Sequence, residues 1–181
     1  KANDAVSELM DDGKIRLMAV GTLKESKGYM RLLSIIKRLQ DENYSVHLYI
    51  LGIGPLQPEM ERYIQTNNLQ GAVTLLGYQT NPYKYVAKCD LFVCASYAEG
   101  FSTAATEALI VGTPVCTVEV SGMKEMLGEN NEYGLVVENN EENQAMLEVM
   151  GIHITTFLVC NVTFIIIAMS NYTEINFNNI N

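Results

Sequence analysis

The chain contains 181 residues with a formal net charge of −9, and 48% of its residues are hydrophobic. That composition is typical of a folded globular domain and excludes an intrinsically disordered chain. The sequence pI of about 4.7 argues against a surface that follows nucleic-acid phosphates, so no nucleic-acid partner is expected. A bound anion would have to be held by a few local groups.

The four cysteines show neither a Cys-x-x-Cys pair nor a histidine at the spacing of a metal ligand. We therefore predict that Cys89, Cys94, Cys116 and Cys160 are small buried hydrophobic residues in a reducing compartment, and that the chain has no metal site. No secretory signal peptide is recognisable. The expected location is the cytoplasm, with the inner face of the membrane as an alternative.

Short apolar runs alternate with amphipathic runs between residues 14 and 150. The run IRLMAVG predicts a strand that ends at a glycine, and the run KGYMRLLSIIKRLQDE has the apolar spacing of a helix. Strands are predicted at residues 15–21, 45–55, 72–78, 90–96, 113–120 and 133–138. Helices are predicted at residues 27–42, 56–68, 82–87, 103–111, 123–127 and 141–150.

Strands that alternate with helices are typical of right-handed βαβ units. The sequence therefore predicts an α/β fold: a doubly wound, mostly parallel, Rossmann-like sheet with helices on both faces. Such sheets bind ligands at the carboxyl ends of their strands. Gly21, Gly52, Gly77 and Glu99 are all expected at that edge.

The chain divides into three predicted segments. Residues 1–13 are interpreted as a linker from a preceding lobe, residues 14–150 as a ligand-binding domain, and residues 151–181 as an atypical tail. The uncharged run at residues 153–170 is at the lower edge of the length that a membrane helix needs. Its polar side chains and the lack of flanking lysine or arginine argue against such a helix. We interpret the tail as not native to the domain, with a membrane helix as the alternative.

The loop GTLKESKG has the features of an anion site. The glycine at the end of the first strand lets a ligand approach the backbone closely. Lys27 comes just before a predicted helix, whose N-terminal amides and dipole favour an anion. The loop matches neither the P-loop nor the G-x-G-x-x-G pattern, so neither an NTP nor NAD is indicated. A plain strand-to-helix loop with a solvated lysine is the alternative interpretation.

A second anion site is predicted in the stretch YAEGFSTAATEAL, where a strand meets the next helix. Ser102 or Thr103 is suited to cap that helix, which leaves nearby backbone amides free for an anion. Glu107 would lie one turn inside the helix, where a carboxylate can accept two vicinal hydroxyls. Taken alone, Glu99 and Glu107 are equally well interpreted as solvated surface residues. Together with the first loop, the stretch fits a diphosphate flanked by two sugars, which is a nucleotide-sugar.

Residues 15–145 resemble the C-terminal, donor-binding lobe of the retaining glycosyltransferases of family 4, which have the two-lobed GT-B architecture. The most specific mark is the Glu-seven-residues-Glu motif in EGFSTAATE. The segments VGTLKESKG, LGIGP, VTLLGY, CDLFVCAS, VGTPVCTVEVSGMKEML and YGLVVE follow in the family's order. The resemblance implies hexosyl transfer from a UDP- or GDP-sugar to a glycan or lipid-linked acceptor. It implies no tightly bound cofactor, and peripheral contact with a membrane is an open alternative.

The resemblance also assigns roles to residues of this chain. Lys27 and Glu99 would be catalytic, with Lys27 on the donor diphosphate and Glu99 contacting or orienting the transferred sugar. Glu107 would bind the ribose hydroxyls, and the segment SGMKEM would approach the donor sugar. The other donor-binding positions would be Gly21, Thr22, Gly52, Gly54, Gly77, Tyr78, Gly100, Phe101, Ser102 and Thr103.

Two departures from the family pattern affect these expectations. Thr22 stands where the family commonly has an arginine, so a second cation on the diphosphate is missing unless Lys24 replaces it. The acceptor lobe expected before residue 1 is absent, and the chain is expected to be inactive on its own. Two other functions stay open: a nucleotide-sugar enzyme of another class, such as an epimerase, and a non-catalytic partner module. An epimerase would need acid–base residues in the cleft, and His47 and His153 are poorly placed for that role. His47 is interpreted instead as a packed or half-exposed strand residue.

Overall fold

The structure is a computed structural model that describes residues 6, 10, 12–128 and 133–139. The described strands form one six-stranded sheet. They are β1 (Ile15–Val20), β2 (Val46–Leu51), β3 (Val73–Gly77), β4 (Leu91–Cys94), β5 (Val115–Val118) and β6 (Leu135–Val137).

The strands lie in the order β3-β2-β1-β4-β5-β6, and every neighbouring pair is parallel. The chain therefore builds the sheet outward from β1 in one direction, and then returns to the other side of β1 to place β4. The strand order reverses between β1 and β4. In doubly wound sheets this switch point is where ligands bind, beyond the carboxyl ends of the two strands.

Helices connect the strands, and a 3-10 turn at Glu25–Lys27 precedes the first of them. The helices are α1 (Tyr29–Asp41), α2 (Gln57–Thr66), α3 (Tyr83–Val86), α4 (Thr103–Ile110) and α5 (Met123–Leu127). In the part of the chain that the structure describes, no helix is both long and apolar enough to span a membrane.

The core consists of two apolar layers, one on each face of the sheet. On one face, Leu17 and Leu48 pack with α1 and α2 residues such as Leu32 and Met60. On the other face, the neighbouring strand residues Met18, Tyr49 and Phe92 pack with α3, α4 and α5. Successive strand residues point to opposite faces, and parallel strands buried on both faces are apolar throughout. The continuous apolar runs of the sequence are explained by this double coverage.

The predicted fold class is confirmed by the parallel sheet and its two helical layers. Several elements are shorter than predicted; the strand expected at residues 45–55 ends at Leu51 because Gly52, with a φ of +145°, turns the backbone away from the strand direction. The predicted helix at residues 141–150 and the tail at residues 151–181 lie outside the described residues.

The predicted burial of the cysteines is confirmed for the three described ones, which are all free and buried. Burial raises the pKa of the thiols of Cys89 and Cys116 to about 12, so neither is a ready nucleophile. Cys160 lies outside the described residues.

The interpretation of His47 as a packed strand residue is also confirmed. Its ring stacks on Tyr49 with centroids 4.3 Å apart. Nδ1 lies 2.6 Å from a carboxylate oxygen of Asp12, and Nε2 lies 2.8 Å from the hydroxyl of Thr74. Burial lowers the pKa of His47, partly offset by the hydrogen bond and charge of Asp12.

Candidate functional site

The turn after β1 lies directly against the end of β4. Gly28 follows the 3-10 turn and has a φ of +65°, in the left-handed region that favours glycine. A Cβ at this position would fall 1.9 Å from the carbonyl oxygen of Ala95. The backbone amide of Tyr97 donates a 2.9 Å hydrogen bond to the carbonyl of Ser26. Only a glycine lets the two loops at the switch point come this close.

Lys27 and Glu99 meet across these two loops. The Nζ atom of Lys27 lies 2.5 Å from Oε1 of Glu99, which also accepts a 2.7 Å hydrogen bond from the hydroxyl of Ser96. The side chains of Lys27 and Glu99 are 25% and 10% exposed, so the pair is only partly screened by water. The structure thus brings together the cation and the carboxylate that the sequence placed in separate loops.

The start of α4 borders the same position. Ser102 is the N-cap residue, and its hydroxyl accepts a 3.4 Å hydrogen bond from the amide of Ala105. This bond decides between the two predicted caps. Lys27, Glu99 and Ser102 line one small cavity of about 20 Å³, which is room for roughly one water molecule. A group larger than a water molecule does not fit inside this cavity.

Two residues of this cavity are not evident from the sequence. Ser96 holds Glu99, and Tyr29 lines the cavity from the first turn of α1. The hydroxyl of Tyr29 lies 3.1 Å from the point where a Cβ of Gly21 would be. Burial raises the pKa of that hydroxyl, and the charges of Cys94 and Glu99 add to the effect. A tyrosine in an apolar helix is ordinarily interpreted as a core residue, so the sequence does not indicate that Tyr29 lines the cavity.

The predicted glycines at the ends of the first three strands lie side by side, joined by backbone hydrogen bonds between adjacent strand ends. The amide of Gly21 donates to the carbonyl of Leu51 at 3.0 Å, and the amide of Gly52 donates to the carbonyl of Gly77 at 2.9 Å. A Cβ on Gly52 would fall 1.9 Å from the carbonyl oxygen of Gly21, and one on Gly54 would fall 2.3 Å from that of Leu23. These glycines permit close backbone approach between adjacent loops.

The more peripheral predicted residues are open to solvent. Three of these residues are exposed to solvent: Thr22, Gly100 and Thr103. The rings of Tyr78 and Phe101 are 70% and 58% exposed. Exposed aromatic rings beside a polar cleft are available for contact with a ligand or with another part of a longer protein.

Glu107 lies half-buried on α4, on the side of the helix that meets α3. Its charge is the main cause that raises the pKa of the Tyr83 hydroxyl, and a side-chain hydrogen bond between the two groups adds to the shift. Glu107 is not among the residues that line the cavity of Lys27 and Glu99. Glu107 thus lies beside α3, which follows β3, and does not join Lys27 and Glu99 in their cavity.

The segment SGMKEM forms the loop before α5 and α5 itself. A Cβ on Gly122 would fall 3.5 Å from the ring of Phe101, so this loop lies beside the start of α4. Glu125 is exposed. Among the described residues, no group of three or more acidic, histidine or cysteine side chains is arranged to hold a metal ion.

Comparison with known families decides the affiliation of this fold and site. The family model described as "Glycosyl transferases group 1" matches residues 1–151. The chain belongs to the group 1 glycosyltransferases. The family that the Glu-seven-residues-Glu motif indicated is therefore confirmed, and the sheet is a Rossmann-like α/β lobe.

Curated relatives place the chain among named group 1 glycosyltransferases. It is 41% identical over 128 residues to N-acetylgalactosamine-N,N'-diacetylbacillosaminyl-diphospho-undecaprenol 4-alpha-N-acetylgalactosaminyltransferase of Campylobacter jejuni, covering 70% of this chain and 34% of that protein. It is 36% identical over 109 residues to the uncharacterized glycosyltransferase MJ1059 of Methanocaldococcus jannaschii, covering 60% of this chain and 27% of that protein. The chain thus spans about a third of the length of these relatives.

Solved structures share the fold of this group 1 glycosyltransferase chain. The Anabaena protein Alr3699/HepE in complex with UDP matches with a TM-score of 0.72 and 20% identity, covering 84% of this chain and 43% of that one. TarM matches with a TM-score of 0.73 and 23% identity, covering 80% of this chain and 29% of that one. At these identities the match establishes the architecture alone.

Proposed function

We propose that this chain is the donor-binding lobe of a retaining glycosyltransferase that takes a sugar from a UDP-sugar and passes it to a glycan or lipid-linked acceptor. The observation that carries the proposal is the meeting of Lys27, Glu99 and the N-terminus of α4 at the switch point of the sheet. A cation, a helix start and a carboxylate at this position suit a sugar diphosphate.

The choice of UDP is supported by the relatives. HepE has been solved with UDP and with UDP-glucose, and the pneumococcal O-GlcNAc transferase GtfA with UDP and GlcNAc. The C. jejuni relative is named for transfer of N-acetylgalactosamine to a diphospho-undecaprenol-linked sugar. A UDP-linked hexose or N-acetylhexosamine is the donor class that we propose for the longer protein.

In the proposed complex, Lys27 and the amides of residues 100–103 hold the diphosphate. Glu107 binds the ribose hydroxyls, and Tyr78 borders the base at the loop after β3. Because Lys27 is paired with Glu99 in the structure, the phosphate has to displace that carboxylate from the ammonium group. Glu99 then becomes free to orient a hydroxyl of the transferred sugar.

In the transfer step, the bond between the sugar C1 and the distal phosphate oxygen breaks, and negative charge develops on the leaving UDP. Lys27 and the start of α4 stabilise that charge in a site where part of the water is excluded. The acceptor hydroxyl then bonds to C1 on the face that the phosphate leaves, and its proton passes to the leaving phosphate. We do not assign Glu99 as a nucleophile in a double displacement.

Isothermal titration of the chain with UDP, UDP-sugars and GDP tests this proposal. We expect saturable heat with UDP, weaker or no heat with GDP, and a loss of UDP affinity in Glu107→Gln of about tenfold, since hydrogen bonds to a charged group contribute roughly 1.5–3 kcal/mol. The exposed Glu42→Gln removes the same charge at the end of α1 and is expected to leave UDP binding unchanged. Heat with neither nucleotide would refute the donor site and favour a non-catalytic partner module.

A further inference from the structure

A buried arginine lies beneath the loop that carries Glu99. Arg31, in the first turn of α1, is only 5% exposed, and its Nε has no hydrogen-bond partner among the described residues. Its Nη1 donates a 2.8 Å hydrogen bond to Oδ1 of Asn139, just after β6. Among the residues that the structure describes, no carboxylate pairs with it. Burying a cation among neutral partners costs free energy, so packing alone is a poor reason to keep an arginine here.

The contacts of Arg31 lead to the donor loop through Tyr97. The guanidinium carbon lies 4.0 Å from the centre of the Tyr97 ring, a stacked cation–π geometry. The carbonyl of Tyr97 accepts a 3.4 Å hydrogen bond from Nδ2 of Asn139, and its amide bonds to Ser26. Tyr97 is therefore held from the turn after β1, from α1 and from the end of β6. It stands two positions before Glu99 in the chain.

We propose that Arg31 is a positioning residue for the donor site: through Tyr97 and Asn139 it holds the loop at residues 97–102 so that Glu99 and the amides before α4 face Lys27. This inference rests on the function proposed above. The loop has exposed residues at Gly100 and Phe101, and one of its described anchors is the ion pair that the diphosphate displaces. Once Glu99 leaves Lys27, the stacking of the Tyr97 ring on Arg31 keeps the loop in its position.

The test compares UDP dissociation constants, measured by titration, for the wild-type chain and four variants. We expect Arg31→Met and Tyr97→Leu each to weaken UDP binding about five- to tenfold, from the loss of a cation–π contact whose cation is buried. Tyr97→Phe keeps the ring and serves as the matched control, with affinity within about twofold of wild type. The Arg31→Met/Tyr97→Leu double variant should bind no more weakly than the weaker of the two single variants, because both remove the contact between Arg31 and the Tyr97 ring.

A second readout reports the position of the loop directly. The chain contains no tryptophan, so Tyr97→Trp introduces a single fluorescent indole at this position. We expect acrylamide to quench this indole more strongly when Arg31→Met is added, because one ring face loses its cover. Urea unfolding of the same proteins measures stability separately. A fall in stability with unchanged UDP affinity and unchanged quenching would mean that Arg31 serves folding alone, and would overturn the proposal.

The outcomes distinguish this inference from the proposed function. If the wild-type chain binds UDP and both single variants bind it equally well, only the positioning role is wrong. If the wild-type chain binds no UDP, the proposed function is wrong and this inference falls with it. Should Arg31→Met fail to fold, Tyr97→Leu decides alone, because the Tyr97 ring is 52% exposed and its replacement leaves the core intact.

Discussion

Because Lys27 and Glu99 form an ion pair, we expect one mutation in the proposed binding site to raise the affinity for UDP, whereas mutations in a binding site usually lower it. In the structure Glu99 is paired with the ammonium group of Lys27, with 2.5 Å between Nζ and Oε1. This is the ammonium group that we propose binds the donor phosphate. Replacing Glu99 by glutamine keeps the shape of the side chain and removes the competing charge. We therefore predict that Glu99→Gln binds free UDP more tightly than wild type.

The size of the gain follows from the geometry. With Glu99 still in its place on Lys27, a phosphate oxygen hydrogen-bonded to the ammonium group would lie about 5 Å from the carboxylate, since charge-assisted N–H···O distances are about 2.8 Å; the repulsion at this distance is what the displacement of Glu99 has to relieve. Two like charges at about 5 Å repel by about 3 kcal/mol at an effective dielectric constant of about 20. Because a quarter of the Lys27 side chain is exposed, screening by water and salt leaves about a third of that repulsion. About 1 kcal/mol corresponds to a roughly fivefold lower dissociation constant.

Isothermal titration with UDP at low and high salt measures this change. Glu25→Gln is the matched control, because it removes the same charge from an exposed residue of the turn that carries Lys27, and we expect less than a twofold effect from a solvated charge. Lys27→Gln should weaken UDP binding, and high salt should shrink both effects. With a UDP-sugar the gain of Glu99→Gln should be smaller, because a sugar contact is lost. Weaker binding of free UDP by Glu99→Gln would refute the competition.

Three further predictions concern the fold. Gly28→Ala should lower the free energy of unfolding in urea by about 2 kcal/mol or more, because its methyl group would meet the Ala95 carbonyl at a positive φ. Gly71→Ala is the control, since a methyl group at that position meets open space and should be tolerated. Equal stability of the two variants would contradict the close contact at Gly28. Because burial lowers the pKa of folded His47 from 6.5, the unfolded chain takes up its proton first as the pH falls, and the unfolding free energy should decrease from pH 7.5 to 5.5. His47→Gln should flatten that slope by at most about 1.4 kcal/mol per pH unit, and an unchanged slope would exclude His47 as the cause. Iodoacetamide should leave Cys89 and Cys116 unlabelled in the native chain at pH 8, because a thiol with a pKa of about 12 is almost wholly protonated there. It should label both cysteines in urea. Rapid labelling of the native chain would contradict their burial.

The sequence was sufficient for the fold because apolar runs of strand length alternate with helical ones, and that alternation allows few topologies. It also placed Lys27 and Glu99 in the same cleft, since both follow strands whose carboxyl ends lie at one edge. It did not predict that the two would pair, because an expected ligand contact and an ion pair look alike in sequence. The choice depends on side-chain directions at the switch point.

Other features escaped sequence reasoning because their partners are far apart in the chain. Arg31 and Asn139 are separated by 108 positions, and an arginine within an amphipathic helix is ordinarily assigned to its solvent face. Tyr83 lies in the short helix predicted at residues 82–87, and that prediction did not indicate that its hydroxyl is a neighbour of Glu107. Such pairings follow from how helices dock on the sheet, which periodicity alone does not specify.

The central claim is that one nucleotide diphosphate spans Lys27, the start of α4 and Glu107. A crystal structure of the chain soaked with UDP tests it most directly. We predict phosphate oxygens within hydrogen-bond distance of the Lys27 ammonium and the amides of residues 100–103, ribose hydroxyls on the Glu107 carboxylate, and Glu99 released from Lys27. UDP bound elsewhere, or bound with Lys27 and Glu107 touching none of its atoms, would contradict the account.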